Sequence, residues 1–171
     1  MANYKELLKH INTFIFDYDG VLTDGSLITT SDGEVHRISN VKDGYALQLA
    51  YKKGYRVAVI SGARSDSIMH RMKALQIKDV FLGVERKQDV YREYLKNNNL
   101  KPEQVLYMGD DIPDYKVMLE AGVSSCPADA AEEIKSVSKY ISHFNGGKGC
   151  VRDVIEQVLK VQGKWMNDDE F

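Results

Sequence analysis

Asp17 and Asp19 stand two apart directly after the apolar run Thr13-Phe14-Ile15-Phe16, inside Asp17-Tyr18-Asp19-Gly20. Residues two apart on an extended segment share a side. Two carboxylates placed that way can work on one bound group, one as nucleophile and the other as proton carrier. Alone, the pattern is also ordinary turn chemistry, because Asp and Gly dominate turns. Three further stations change the reading. Ser61-Gly62 follows Val57-Ala58-Val59-Ile60, Lys87 comes shortly after Asp79–Leu82, and Gly109-Asp110-Asp111 follows Val105–Met108, with Asp114 just beyond. Gathered carboxylates repel unless a cation offsets them, and hard oxygen donors that leave room for water suit Mg2+. A hydroxyl at Ser61 ahead of a helix N-terminus, with Lys87 nearby, suits a phosphate. Metal, phosphate and nucleophilic carboxylate together make phosphoryl transfer the expected chemistry.

Those side chains meet only if the elements before them lie side by side. The runs Thr13–Phe16, Tyr55–Ile60, Asp79–Leu82 and Val105–Met108 read as strands, with a shorter one near Val123. Their centres are apolar throughout, the mark of strands buried on both faces. Amphipathic stretches alternate with them. One is capped by Asp43, carries Tyr45, Leu49 and Ala50, and stops at Gly54; the next is capped by Ser65 and carries Ile68, Met69, Met72 and Leu75. Helices follow over Gln88–Asn97 and Asp114–Ala121, and a last one carries Val151, Val154, Ile155, Val158 and Leu159. This alternation predicts an α/β fold with a Rossmann-like, doubly wound parallel sheet. In such sheets ligands bind beyond the carboxyl ends of the strands, where the acidic stations fall. Leu27–Thr30 and Val35–Ile38, around Ser31-Asp32-Gly33-Glu34, predict a β-hairpin flap after the first strand.

Composition narrows the class. The 171 residues are 43% hydrophobic and 28% charged, which suits one globular domain over residues 1–171. Lys and Arg number 23 against 25 Asp and Glu, so nothing in the net charge points to nucleic acid or an anionic membrane as partner. The two cysteines, Cys126 and Cys150, are too few for a zinc site or a secreted disulfide scaffold. The first ten residues lack the apolar run of a signal peptide, so a cytoplasmic location is expected.

The motifs carry a family resemblance. Phe16-Asp17-Tyr18-Asp19-Gly20-Val21-Leu22-Thr23-Asp24-Gly25 resembles the first motif of the haloacid dehalogenase superfamily of phosphohydrolases. Val59-Ile60-Ser61-Gly62 resembles its second, Lys87 its third, and Gly109-Asp110-Asp111-Ile112-Pro113-Asp114 its fourth. Lys42-Asp43-Gly44, Gly62-Ala63-Arg64 and Gly146-Gly147-Lys148-Gly149 extend the likeness to a cap-free subfamily. Tyr18 departs from the small or branched apolar residue more usual there, and Ala63 separates Gly62 from Arg64. The resemblance implies that Asp17 attacks phosphorus, Asp19 is the acid and base, and Ser61 and Lys87 hold the phosphoryl oxygens. It further implies Mg2+ on Asp17, the Asp19 carbonyl and Asp110, with Asp111 and Asp114 orienting Lys87 or metal-bound water. Thr23, Asp24, Arg64 and Lys148 are implied substrate contacts. Asp114 also reads as a plain helix cap.

The implied substrate is an eight-carbon keto-deoxy sugar acid phosphate of lipopolysaccharide synthesis, with a nine-carbon sugar acid phosphate as the alternative. Residues 20–60 and 62–86 are consumed by the hairpin, two helices and two strands, leaving no room for a cap. The subfamily closes its site by forming a homotetramer in which neighbours, including the hairpin and C-terminal segment, complete it. A receiver-like phospho-Asp switch shares such a fold without turnover. It is disfavoured because its paired acids follow the first strand and its phosphorylated Asp a later one.

Overall fold

The structure is a computed structural model and describes residues 3–166. Six parallel strands form one sheet: β1 (Thr13–Phe16), β4 (Arg56–Ile60), β5 (Asp79–Phe81), β6 (Val105–Met108), β7 (Val123–Cys126) and β8 (Tyr140–Ile141). Their order is β5-β4-β1-β6-β7-β8. The chain thus winds outward from β1 in both directions, which opens a crevice at the carboxyl ends of β1, β4 and β6. In register, Phe16 lies opposite Val59 on one side and Met108 on the other, so the residues that follow emerge together.

Alternate residues of each strand feed two cores. Phe14, Phe16, Val57, Val59, Leu106 and Met108 face α1 (Tyr4–Leu8), α2 (Val41–Lys52), α3 (Asp66–Ala74) and α7 (Cys150–Val161). Ile15, Ala58, Ile60, Val105 and Tyr107 face α4 (Lys87–Asn97), α5 (Tyr115–Glu120) and α6 (Glu132–Val137). Burial on both faces is why the strands read as unbroken apolar runs. The hairpin pairs only β2 (Ile28–Thr29) with β3 (Val35–His36), shorter than the sequence suggested; Ile28, Thr29 and His36 are exposed and Val35 is half-buried. No cap domain interrupts the described residues, and no helix among them is long and apolar enough to cross a membrane.

Several local expectations need correction. Asn40 caps α2, its side chain accepting from the amides of Lys42 and Asp43. Tyr45 and Met69 are exposed and lie off the buried stripes of their helices. Ser65 precedes α3 without capping it; its hydroxyl pairs with that of Ser67. Asp43 is buried inside α2 and reaches across to α7 instead, accepting from Arg152 N at 2.8 Å and Gly149 N at 3.1 Å. It therefore satisfies amides that the α7 N-terminus would otherwise leave orphaned. Asp43→Ala should cost about 1–3 kcal/mol in urea unfolding. A loss below about 0.5 kcal/mol would show that those amides find other partners.

Candidate active site

The first-strand turn is built around Gly20, whose φ of +88° favours glycine and whose missing Cβ leaves room for Asp110. A Cβ there would sit 1.9 Å from Asp110 Oδ2. Glycine at this turn lets the β1 and β6 loops press together. Asp17, after β1, is buried, and Asp110, after β6, is half-buried beside it. Lys87 at the start of α4 is buried too, its Nζ 2.8 Å from Asp17 Oδ1 and 2.8 Å from Asp114 Oδ1. Asp114 is fully buried: Oδ1 also accepts from the Tyr107 hydroxyl at 2.5 Å, and Oδ2 from Asp110 N at 3.2 Å. An oxygen from each of Asp17, Asp110 and Asp114 lies within 4.8 Å of the others.

The electrostatics follow from that crowding. Burial, then the Asp17 and Asp114 carboxylates, push Asp110 up to about 8. Burial, then Asp114, raise Asp17 to about 6 despite the opposing pull of Lys87. Burial works against charge on Lys87, but Asp114 and Asp17 outweigh it and raise its pKa. One ammonium faces three carboxylates, so the cluster carries uncompensated negative charge when all three ionise. Hard oxygen donors in that state fit a small divalent cation. Asp114 already serves Lys87, Tyr107 and the Asp110 amide, which leaves Asp17 and Asp110 as the side chains with oxygens to give a metal.

Ser61, after β4, is buried, and its Oγ accepts from Ala63 N at 3.2 Å, so its proton stays free to be donated. The helix N-terminus expected after Ser61 begins only at Asp66. The group that follows β4 is therefore a loop. Asp17, Asp19, Ser61, Lys87, Asp110, Asp111 and Asp114 all line one cavity of about 420 Å3.

Other expectations are met differently. Asp114 gives no cap to α5, its carboxylate being spent inside the site. Asp111 lines the mouth but is exposed and accepts from Ile112 N; it does not touch Lys87, which Asp17 and Asp114 hold. Thr23 is fully buried, its Oγ1 accepting from Gly25 N at 3.2 Å, so it stiffens the loop from beneath. Asp24 accepts from Ser26 N and lies 3.7 Å from Lys148 Nζ, outside the cavity wall. Arg64 is exposed and leans on Gly83, where a Cβ would sit 2.8 Å from its Nε. The Gly146–Gly149 stretch packs under its own chain's first loop. Gly147 N donates to Val21 O, and a Cβ on Gly146 would meet Gly20 O at 2.0 Å.

Two further side chains take part in the site. Tyr107 is a residue of β6 whose hydroxyl fixes Asp114. Arg37, just past β3, grips Asp19 through Nε–Oδ1 at 2.7 Å and Nη2–Oδ2 at 3.1 Å. Val35-His36-Arg37-Ile38 does not alternate in polarity, so the sequence carried no sign that Arg37 is covered while Ile38 is exposed.

The family profile of haloacid dehalogenase-like hydrolases matches residues 26–128, a span that holds Ser61, Lys87, Asp110 and Asp114 but starts after Asp19. The 3-deoxy-D-manno-octulosonate 8-phosphate phosphatase of Salmonella typhi is 35% identical over 156 residues, covering 91% of this chain and 83% of the relative. Among solved structures, that of the Moraxella catarrhalis phosphatase of the same name, in complex with magnesium ion, phosphate ion and KDO, superposes with a TM-score of 0.93. It shares 34% identity and covers 96% of this chain and 95% of that one. The cobalt-bound phosphatase from Haemophilus influenzae gives a TM-score of 0.89 at 34% identity, covering 92% of each chain.

Proposed function

The chain belongs to the haloacid dehalogenase-like hydrolases, and on that premise we propose that it is a magnesium-dependent phosphatase hydrolysing 3-deoxy-D-manno-octulosonate 8-phosphate to the free sugar acid and phosphate. The observation that carries the reading is Lys87 Nζ bridging Asp17 and Asp114, with Asp110 against Asp17, at the crevice of the sheet. Asp17 attacks phosphorus while the phosphorus–sugar oxygen bond breaks, forming an aspartyl-phosphate. Asp19 delivers its proton to the departing sugar oxygen. Asp19 then takes a proton from the water that attacks phosphorus, and Asp17 is released with inorganic phosphate. Lys87 keeps one of its three donors for a phosphoryl oxygen after serving Asp17 and Asp114, and the Ser61 hydroxyl supplies another. Asp17, Asp110 and the Asp19 carbonyl would hold Mg2+, which when bound shields the nucleophile from the phosphate dianion. Asp114 orients Lys87, and Asp111 orients water at the mouth.

Arg64 is an exposed cation next to Gly62 and Ala63, which line the cavity, and Lys148 is an exposed cation beside Asp24 of the first loop, which supports a role in meeting the substrate carboxylate. Asp24 would tether Lys148, and Thr23 would act through the loop it supports. Both cores back onto one sheet, which supports a single domain. A cytoplasmic homotetramer completes the reading. Leu27, Ile28, Ile38 and Val41 are exposed by 52%, 54%, 64% and 80% on the hairpin and the start of α2, an apolar surface that suits a second copy.

Phosphate release from the eight-carbon sugar acid phosphate, its nine-carbon counterpart and p-nitrophenyl phosphate tests this reading, alongside light scattering. The expected result is a tetramer with kcat/KM at least about tenfold higher on the eight-carbon substrate. Preference for the nine-carbon ester would move the substrate. One stoichiometric burst without turnover would return the switch reading, and a fully active monomer would remove the need for neighbours.

A further inference from the structure

Arg37 is out of character for its surroundings. The hairpin that carries it is mostly exposed, only Val35 of its paired residues being half-buried, and β2 and β3 are held by two residue pairs. Yet the Arg37 side chain is only 8% exposed, and it makes a two-point contact with Asp19, whose carboxylate is 30% exposed at the cavity wall. Its third nitrogen, Nη1, is buried without an acceptor. A contact kept only for stability would not bury a guanidinium and leave one of its donors orphaned.

We propose that Arg37 is a positioning residue for Asp19, through which the hairpin sets the aim of the proton carrier. This rests on Asp19 as the acid and base of the phosphatase reading. The planar fork of a guanidinium fixes both the place and the plane of a carboxylate, which a single ammonium does not. Asp19 Oδ1 takes Arg37 Nε and, at 3.4 Å, the Thr23 hydroxyl, whereas Oδ2 takes Arg37 Nη2 alone. Oδ2 is therefore the oxygen with more of its accepting capacity unused. It carries the proton that passes to the leaving oxygen as the phosphorus–oxygen bond breaks. The bridge between Thr23 and Ser39 ties the returning arm of the hairpin to the same loop, so hairpin position and Asp19 orientation change together.

Leaving-group dependence separates this role from a structural one, because a good leaving group needs no proton. First-turnover release should be measured by rapid mixing for the eight-carbon sugar acid phosphate and for p-nitrophenyl phosphate. Arg37→Ala should slow release of the sugar at least about tenfold and of nitrophenol less than about threefold, with KM changed less than about threefold. Arg37→Lys, one contact in place of two, should fall between. Equal slowing of both substrates, or no slowing of the sugar, would overturn the assignment. Arg37→Lys restoring nothing while Arg37→Ala melts far below wild type would make the contact structural. If the wild-type chain releases neither leaving group, the phosphatase reading itself fails and takes this inference with it.

Discussion

Asp17→Asn should lower phosphate release at least about a thousandfold while leaving the fold intact. The amide keeps the shape of the carboxylate but is not a nucleophile, so no aspartyl-phosphate forms. Its stability should change in the opposite direction to its activity. Asp17 is buried against Asp110 and Asp114 with one ammonium among them, and removing its charge relieves a like-charge contact. The metal-free variant should therefore unfold at a temperature equal to or above that of the metal-free wild type. Loss of activity with a marked loss of stability would mean that Asp17 is a structural partner of Lys87 rather than the attacking group. Steady-state activity within about tenfold of wild type would place the nucleophile elsewhere.

The second large effect concerns the cation and pH. In the metal-free fold Asp110 is raised to about 8 and Asp17 to about 6, from an ordinary 3.8. Protons are thus held more tightly in the folded chain than in the unfolded one. Stability from these groups is fully present below about pH 4 and is lost as pH rises through 6 and then 8. Protein stripped with a chelator should lose stability, on the order of a few kcal/mol, between pH 5 and pH 8. Millimolar Mg2+ should restore most of it at pH 8 and little at pH 5, because the metal needs ionised ligands. Asp110→Asn should flatten the metal-free slope, abolish the Mg2+ response and cut turnover at least about a hundredfold. A metal-free melting temperature that rises from pH 5 to pH 8 would contradict the crowded-carboxylate description.

What could be read from the sequence was what repeats or falls at a strand end. Phe14, Ile15 and Phe16 are apolar in succession because both faces of β1 are covered, and the acidic stations emerge where β1 and β6 stop. What stayed hidden was contact between distant segments. Asp43 looks like a helix cap from its neighbours, yet it serves amides at Gly149 and Arg152, brought close only by packing of α2 on α7. Glycine is needed at 146 and 147 because their backbone lies against Gly20 and Thr23, a close approach that no local pattern announces. The elements α6 and β8 are too short to display a period, and α1 offers one buried residue, Leu8. Arg37 pairs with Asp19 across the whole hairpin, and no local pattern names the partner of a lone arginine.

The mechanism requires a covalent phosphoryl-enzyme at Asp17. Quenching the enzyme during turnover, reducing it with borohydride and sequencing its peptides by mass spectrometry tests it most directly, because reduction converts an aspartyl-phosphate to homoserine. Homoserine at position 17, dependent on substrate and absent from the Asp17→Asn protein, is the expected result. Reduction at Asp110 or Asp19 instead, or at no aspartate while phosphate is being released, would contradict it.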